Sequence, residues 1–184
     1  MTATTPHDPL ALLGIDHVEL WVGNAKQAAH FYRTGFGFSP VAYAGPETGL
    51  RDRASWVVGQ GSIRLVLTSS LRPGTEIAEH VARHGDGVHD VALAVPDAAV
   101  AYGAATERGA DGVLEPGDDK DEHGIVRRAA IATYGDTIHS LVDRSGYSGP
   151  FLPGFAPGAR STTRCRRSGS RPSTTWSATS SWAG

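Results

Sequence analysis

Two stretches of this chain can be laid on one another. Gly14-Ile15-Asp16-His17-Val18-Glu19-Leu20-Trp21-Val22 matches Gly87-Val88-His89-Asp90-Val91-Ala92-Leu93-Ala94-Val95 in its Gly start, its His/Asp pair and its apolar beat. Val18, Leu20 and Val22 alternate with His17, Glu19 and Trp21, and Val91, Leu93 and Val95 alternate with Asp90, Ala92 and Ala94. Alternation of this kind is the signature of a half-buried strand. The two strands form a weak internal repeat, which points to two copies of one unit.

The elements after each copy keep the parallel. Asn24 is an N-cap with Gln27 at the capping-box position, opening a helix through Ala28, Ala29, Phe31 and Tyr32. In the second copy Pro96-Asp97 opens a helix through Val100, Ala101, Ala104 and Ala105 that stops at Gly109. Strands are predicted at Pro40–Ala44, Ala54–Gly59 and Ile63–Ser69, then at Gly112–Glu115, Ile125–Thr133 and Thr137–Asp143. Thr75–His84 reads as a connecting helix. The order is βαβββ twice, an α+β arrangement of paired modules at about 12–71 and 87–146. Two such open sheets side by side curve round a shared cleft, with helix-facing residues forming the core and the opposite faces lining the cleft.

Composition bounds the partners. Seventeen Lys+Arg against nineteen Asp+Glu give −2 over 184 residues, which does not suggest nucleic acid. No run approaches the roughly 18 apolar residues needed to span a membrane. The start MTATTPHDPLALLG lacks the basic and apolar regions of a signal peptide. A single cysteine excludes an internal disulfide and a Cys-rich zinc site. The expectation is a soluble, cytoplasmic protein, with residues 1–11 flexible and the folded domain over 12–156.

Residues 157–184 are a different material. From Gly158 onward there is no Asp, Glu, Lys, Leu, Ile or Val, but there are five Arg, seven Ser, five Thr and the lone Cys165. Without those arginines, twelve basic residues face nineteen acidic ones, about −7 over residues 1–157. Such a tail has little to bury and is expected to be disordered. A GC-rich coding region translated out of frame yields this composition. Reading each codon from the third base of the tail's own codons, from Gly169/Ser170 onward, allows the peptide FQAIDHVVGNVELGR. That peptide echoes Ile15-Asp16-His17-Val18 and Val22-Gly23-Asn24. The expectation is a frameshift near Gly158 that scrambled the start of a second, related half.

The βαβββ pairs resemble the vicinal oxygen chelate (glyoxalase-like) superfamily. More closely, WVGNAKQAAHFYRTGFGF, HGDGVHDVAL and AAIATYGDTIHSLVDR resemble the N-terminal half of the 4-hydroxyphenylpyruvate dioxygenase family, as do YAGPETGLRDRASWVVGQGSIRLVLTSSL and the closing GYSGPFLPGF. The resemblance covers about residues 12–156, and the related 4-hydroxymandelate synthases share the scaffold. It implies a parent enzyme of tyrosine catabolism that turns 4-hydroxyphenylpyruvate and O2 into homogentisate and CO2. It also implies Fe(II) held by two His and one Glu, with all three ligands in a C-terminal half that this chain does not contain. The same likeness implies that the parent is a homo-oligomer and that the partner of this half is its own missing C-terminal domain.

His17 occupies the repeat position of the first such ligand and faces the cleft. Asp90 stands at the matching position of the second unit, and about Ser140 stands where a Glu would be needed. His17 and Asp90 are therefore candidates for a vestigial metal site, with Ser a poor third ligand. No catalytic, cofactor-binding or metal residue is assigned, and no cofactor is expected in this chain. Glu19 is a polar cleft partner, and His89 and His139 point the other way by alternation.

Other candidates are read as structural. His80 and His84 have zinc-compatible i, i+4 spacing, but Val81 stands where HExxH has Glu, so they are expected on a solvated helix face. Gly59-Gln60-Gly61 and Gly85-Asp86-Gly87 are turns, and Asp118–Glu122 with Lys120 is expected to be a solvated acidic loop. Trp21, Trp56 and Tyr43 are expected in core or subunit packing ahead of ligand stacking. Cys165 has no assigned role. Three functions fit: an inactive dioxygenase half serving as scaffold and subunit contact, a glyoxalase-like metal enzyme using His17 and Asp90, or a binding module of the bleomycin-resistance type. The first is preferred, and a half parted from its partner would expose an apolar patch and self-associate.

Overall fold

A computed structural model describes residues 10–158. The segments 1–9 and 159–184, with Cys165 and nearly all of the Ser/Thr/Arg-rich tail, lie outside the described residues.

The first unit runs β1 (Gly14–Trp21), α1 (Ala25–Gly35), β2 (Ser39–Ala44), β3 (Arg53–Gln60) and β4 (Ile63–Ser70). A connecting helix, α2 (Glu76–His84), leads to the second: β5 (Gly87–Ala94), α3 (Ala98–Thr106), β6 (Gly112–Asp121), β7 (Gly124–Ala132) and β8 (Ile138–Asp143). A short β9 (Ala156–Pro157) follows. The helix starts are set by side chains. Asn24 accepts from the Gln27 N–H at 3.0 Å, Thr75 from Ala78 at 3.2 Å, and Asp97 from both Ala99 at 2.9 Å and Val100 at 3.1 Å. α3 ends at Thr106, with Gly109 at φ 95° finishing the turn that follows.

The two expected sheets are one. Strand order is β6-β7-β8-β5-β1-β4-β3-β2-β9, so each unit repeats the same sequence of neighbours outward from a central seam. The seam is the repeated strand itself, β1 antiparallel to β5. Each unit then adds a parallel neighbour, β4 beside β1 and β8 beside β5, and two antiparallel strands. The seam's register slips twice, between Ile15 and His17 and between Glu19 and Leu20. Asp16 on β1 and His89 on β5 are the residues left without an opposite number, and bulges re-aim such side chains.

Two apolar clusters fill the helix side. Val22, Ala25, Ala29, Val58 and Leu67 join α1 to the first unit, and Val95, Ala98, Ala101, Ala129 and Leu141 join α3 to the second. Alanines at Ala98, Ala101 and Ala105 give α3 a flat buried face that lets it lie close to the strands. A third cluster was not expected. Ala42, Val57, Val66, Ala92, Val126 and Val142 pack with Phe151 and Leu152 from the segment after β8. The cleft face is therefore partly core, because the closing GPFLPGF run folds back onto it.

Two further differences have local causes. β6 extends to Asp121, so the predicted acidic loop is a strand. Arg127 donates to Asp118 at 2.8 Å and Arg128 to Asp119 at 2.6 Å across the hairpin, which neutralises the acidic run. Pro157, assigned to the tail from sequence, pairs with Ala42, and Gly158 N–H donates to Val41 O at 2.9 Å. No helix among the described residues is long and apolar enough to cross a membrane.

Replacing Asp97 by Ala frees two N–H groups at the start of α3. It should lower the unfolding free energy by about 1 kcal/mol in urea titrations, without changing the m-value.

Candidate functional site

A cavity of about 500 Å³ opens on the concave side of the seam. His17 and Glu19 of β1, Ser55 of β3 and Asp90 of β5 form its floor, Arg128 reaches in from β7, and Phe151 and Phe155 wall it. His17 and Asp90 thus share one cleft, as the repeat predicted.

Each is hydrogen-bonded to a neighbouring side chain. Asp90 accepts from the Ser140 N–H at 2.9 Å and the Ser140 hydroxyl at 2.5 Å. The third expected position is therefore hydrogen-bonded to the second. Glu19 accepts from Thr68 Oγ1 at 2.5 Å, and Thr68 Oγ1 lies 2.8 Å from Ser55 Oγ. Burial pushes the Glu19 carboxyl up, against the opposing Thr68 hydrogen bond and the charge of His17.

His17 belongs to a network that alternation does not predict. Its Nδ1 lies 2.7 Å from Asp16 Oδ1, and Asp16 is buried at 6 % exposure. The bulge at Asp16 lets two consecutive side chains meet. Arg144, just after β8, binds Asp16 with both arms, Nε to Oδ2 at 2.6 Å and Nη2 to Oδ1 at 2.7 Å. Arg144 Nη1 also donates to the carbonyl of Phe151, and the guanidinium lies 4.8 Å from that ring's centroid. Phe151 in turn meets the His17 ring edge-on at 5.1 Å. Burial alone would raise the Asp16 carboxyl, but the hydrogen bonds and charges of Arg144 and His17 outweigh it and hold it well below the usual carboxylate range.

Fe(II) in a two-His-one-carboxylate site needs three converging donors with free lone pairs. His17, Glu19 and Asp90 do not bring three ligand atoms within 4.8 Å of one another. Among the described residues, the only three His, Cys, Asp or Glu ligand atoms within 4.8 Å of one another are elsewhere, on His80, His84 and Asp136. The cleft residues do not fit the iron centre.

His80 and His84 are not both on a solvated face. His80 is 6 % exposed and meets Trp21 edge-on at 5.1 Å, while His84 is exposed with Nε2 2.9 Å from Asp136 Oδ2. Trp21 stacks on His89 with centroids 3.4 Å apart. Trp56 packs against the α1 cluster and meets Tyr43 at 4.8 Å, so the aromatic residues take packing roles. His139 turns from the cleft, with Nδ1 2.9 Å from the Val91 carbonyl. Sequence reasoning missed Asp16, Arg144 and Asp136, and only the Asp16-His17 dipeptide carried any signal of them.

The model of the Glyoxalase/Bleomycin resistance protein/Dioxygenase superfamily matches residues 14–147. The chain is 51 % identical over 146 residues to 4-hydroxyphenylpyruvate dioxygenase of Yarrowia lipolytica, covering 77 % of this chain and 37 % of that one. It is 47 % identical over 167 residues to the Neurospora crassa dioxygenase, covering 81 % and 40 %. The chain thus spans about two fifths of the length of the curated relatives it matches. Among solved structures, a variant of 4-hydroxymandelate synthase from Streptomyces coelicolor superposes with a TM-score of 0.72 at 32 % identity, covering 80 % of this chain and 42 % of that one. Methylmalonyl-CoA epimerase from Mycobacterium tuberculosis, with a TM-score of 0.59 at 20 % identity, shares the fold.

Arg144→Met would take the two-armed guanidinium from buried Asp16, leaving it His17 Nδ1 at 2.7 Å and Arg64 at 3.9 Å, and should cost up to about 3–5 kcal/mol. The double variant Asp16→Asn/Arg144→Met should recover much of that loss in the same denaturation series. The pair also sets an acid dependence. Asp16 is depressed in the folded state, so its stabilisation is complete above about pH 4 and is lost as pH falls toward its native value. Glu19 is raised, so its protonation on acidification favours the folded state and opposes that loss. Stability should fall less steeply below about pH 4 in Asp16→Asn than in wild type.

Proposed function

This chain belongs to the Glyoxalase/Bleomycin resistance protein/Dioxygenase superfamily, and we propose that it is the N-terminal half of a 4-hydroxyphenylpyruvate dioxygenase-like enzyme. The observation that carries the reading is the combination of 47–51 % identity with coverage of only 36–40 % of each relative. The parent reaction would convert 4-hydroxyphenylpyruvate and O2 into homogentisate and CO2 at an Fe(II) centre. That centre would belong to the C-terminal half, the partner against which this half packs. The 4-hydroxymandelate synthase alternative has the support of the fold match, at a lower identity of 32 %.

On this reading the half is a scaffold. Hydrogen bonds within the cleft support the idea that a duplicated site has kept its polar face while giving its donors to neighbours. His17 and Asp90 are then structural residues, and the glyoxalase-like reading loses its candidates. The full enzyme is proposed to be cytoplasmic and homo-oligomeric. The domain is proposed to begin at about residue 12 and to close with β9, followed by an out-of-frame tail. Resequencing the gene from upstream of Gly158 past the stop tests the tail, and an early stop in the shifted frame would remove that proposal.

Incubating the chain with Fe(II), reductant, O2 and 4-hydroxyphenylpyruvate should yield no homogentisate by liquid chromatography. Product from this polypeptide alone would overturn the scaffold reading.

A further inference from the structure

A second cavity, about 370 Å³, lies away from the cleft, where α2 faces the turn between β7 and β8. His80 of α2, His89 of β5 and Asp136 of the turn line it, with Trp21 between the rings. One ring nitrogen each from His80 and His84 and one carboxylate oxygen of Asp136 lie within 4.8 Å of one another. We propose that His80, His84 and Asp136 bind a divalent transition metal of the zinc class, joining the connecting helix to the second unit.

Three observations meet here. The two histidines sit one helical turn apart on the same face of α2, with ring centroids 4.8 Å apart, as chelation by i, i+4 imidazoles requires. Asp136 arrives from a separate element, held by a turn in which Thr133 and Thr137 exchange hydrogen bonds. Independently, His80 is buried at 6 % exposure, yet its Nδ1 has no hydrogen-bond partner among the described residues. A buried ring nitrogen without a partner is costly in a folded protein, and the residue that carries it lines this cavity.

Two imidazoles and one carboxylate are the nitrogen and oxygen donors that Zn2+ accepts at about 2.0–2.2 Å. Three protein ligands leave a fourth position for water. Ligand atoms within 4.8 Å need only rotamer adjustment to reach the spacing of such a site; His84 and Asp136 are half-exposed, and their 2.9 Å contact gives way to the metal between them. One group opposes the ion. Arg83 Nη1 lies 3.2 Å from Asp136 Oδ2, and its guanidinium is 61 % exposed, so it can retire into water when metal binds. His89, with its own unpartnered Nδ1, and Glu76 complete the polar lining and keep the site from being a bare surface chelate.

The site is independent of the dioxygenase reading, and its test does not use activity. Zn2+ titrated calorimetrically into the metal-stripped full chain at neutral pH should bind at one equivalent. Co2+ in its place should give the visible absorption of a tetrahedral N/O site. His84→Ala and Asp136→Asn alter exposed side chains and should each weaken Zn2+ binding at least about ten-fold. Arg83→Gln should tighten it, and His17→Ala, in the cleft, should leave it unchanged. Folding of each variant is checked by circular dichroism. Absence of stoichiometric binding, or binding that survives either His84→Ala or Asp136→Asn, would overturn the proposal, as would its loss in His17→Ala.

Discussion

The buried pair of Asp16 and Arg144 holds the molecule together across 128 residues of sequence. A carboxylate at 6 % exposure is tolerable only when its charge is met, and the two-armed guanidinium meets it at both oxygens. The same guanidinium takes the Phe151 carbonyl and its ring face, so the segment after β8 has little choice of path. Once it is in place, Phe151 and Leu152 cover the inner face of the sheet and the cleft is left as the space between them and the seam. The position of His17 follows from that arrangement, with a carboxylate on one side and an aromatic edge on the other.

The repeat made the architecture readable because period-two alternation survives in both copies. His17, Glu19 and Asp90 fell on the cleft face as alternation requires, while Leu20 and Val22 packed under α1. What alternation cannot express is a slip in register. Asp16 and His89 are the unopposed residues of two bulges. Each sits next to a residue that was read correctly. Asp16 turns inward to Arg144, and His89 stacks on Trp21. Nothing local in an Asp-His or His-Asp dipeptide announces a bulge, since its cause is the pairing of two distant strands.

Candidate sites were legible to the degree that their donors were local. His80 and His84 declare themselves by helical spacing. The missing glutamate argued against a known motif, but not against a third ligand from elsewhere. Asp136 comes from a turn more than fifty residues on, and only the packing of α2 against the second unit brings it near. Charge patterning had the same limit. Asp118, Asp119 and Asp121 look like a loop in isolation and become a strand because Arg127 and Arg128 stand opposite them.

The seam carries a kinetic meaning. Residues 14–21 pair with residues 87–94, so the central interface closes a loop of about seventy residues. The hairpins β3–β4 and β6–β7 turn within a few residues and need no such search. Closure cost therefore favours early hairpins and late joining of the two units. Until β1 meets β5, each unit presents the same unpaired edge, and the two edges are alike because the strand is repeated. A β1 edge is thus also open to the β5 of another molecule. During folding, the duplication that defines this architecture makes every half-formed copy a template for exchange with its neighbour.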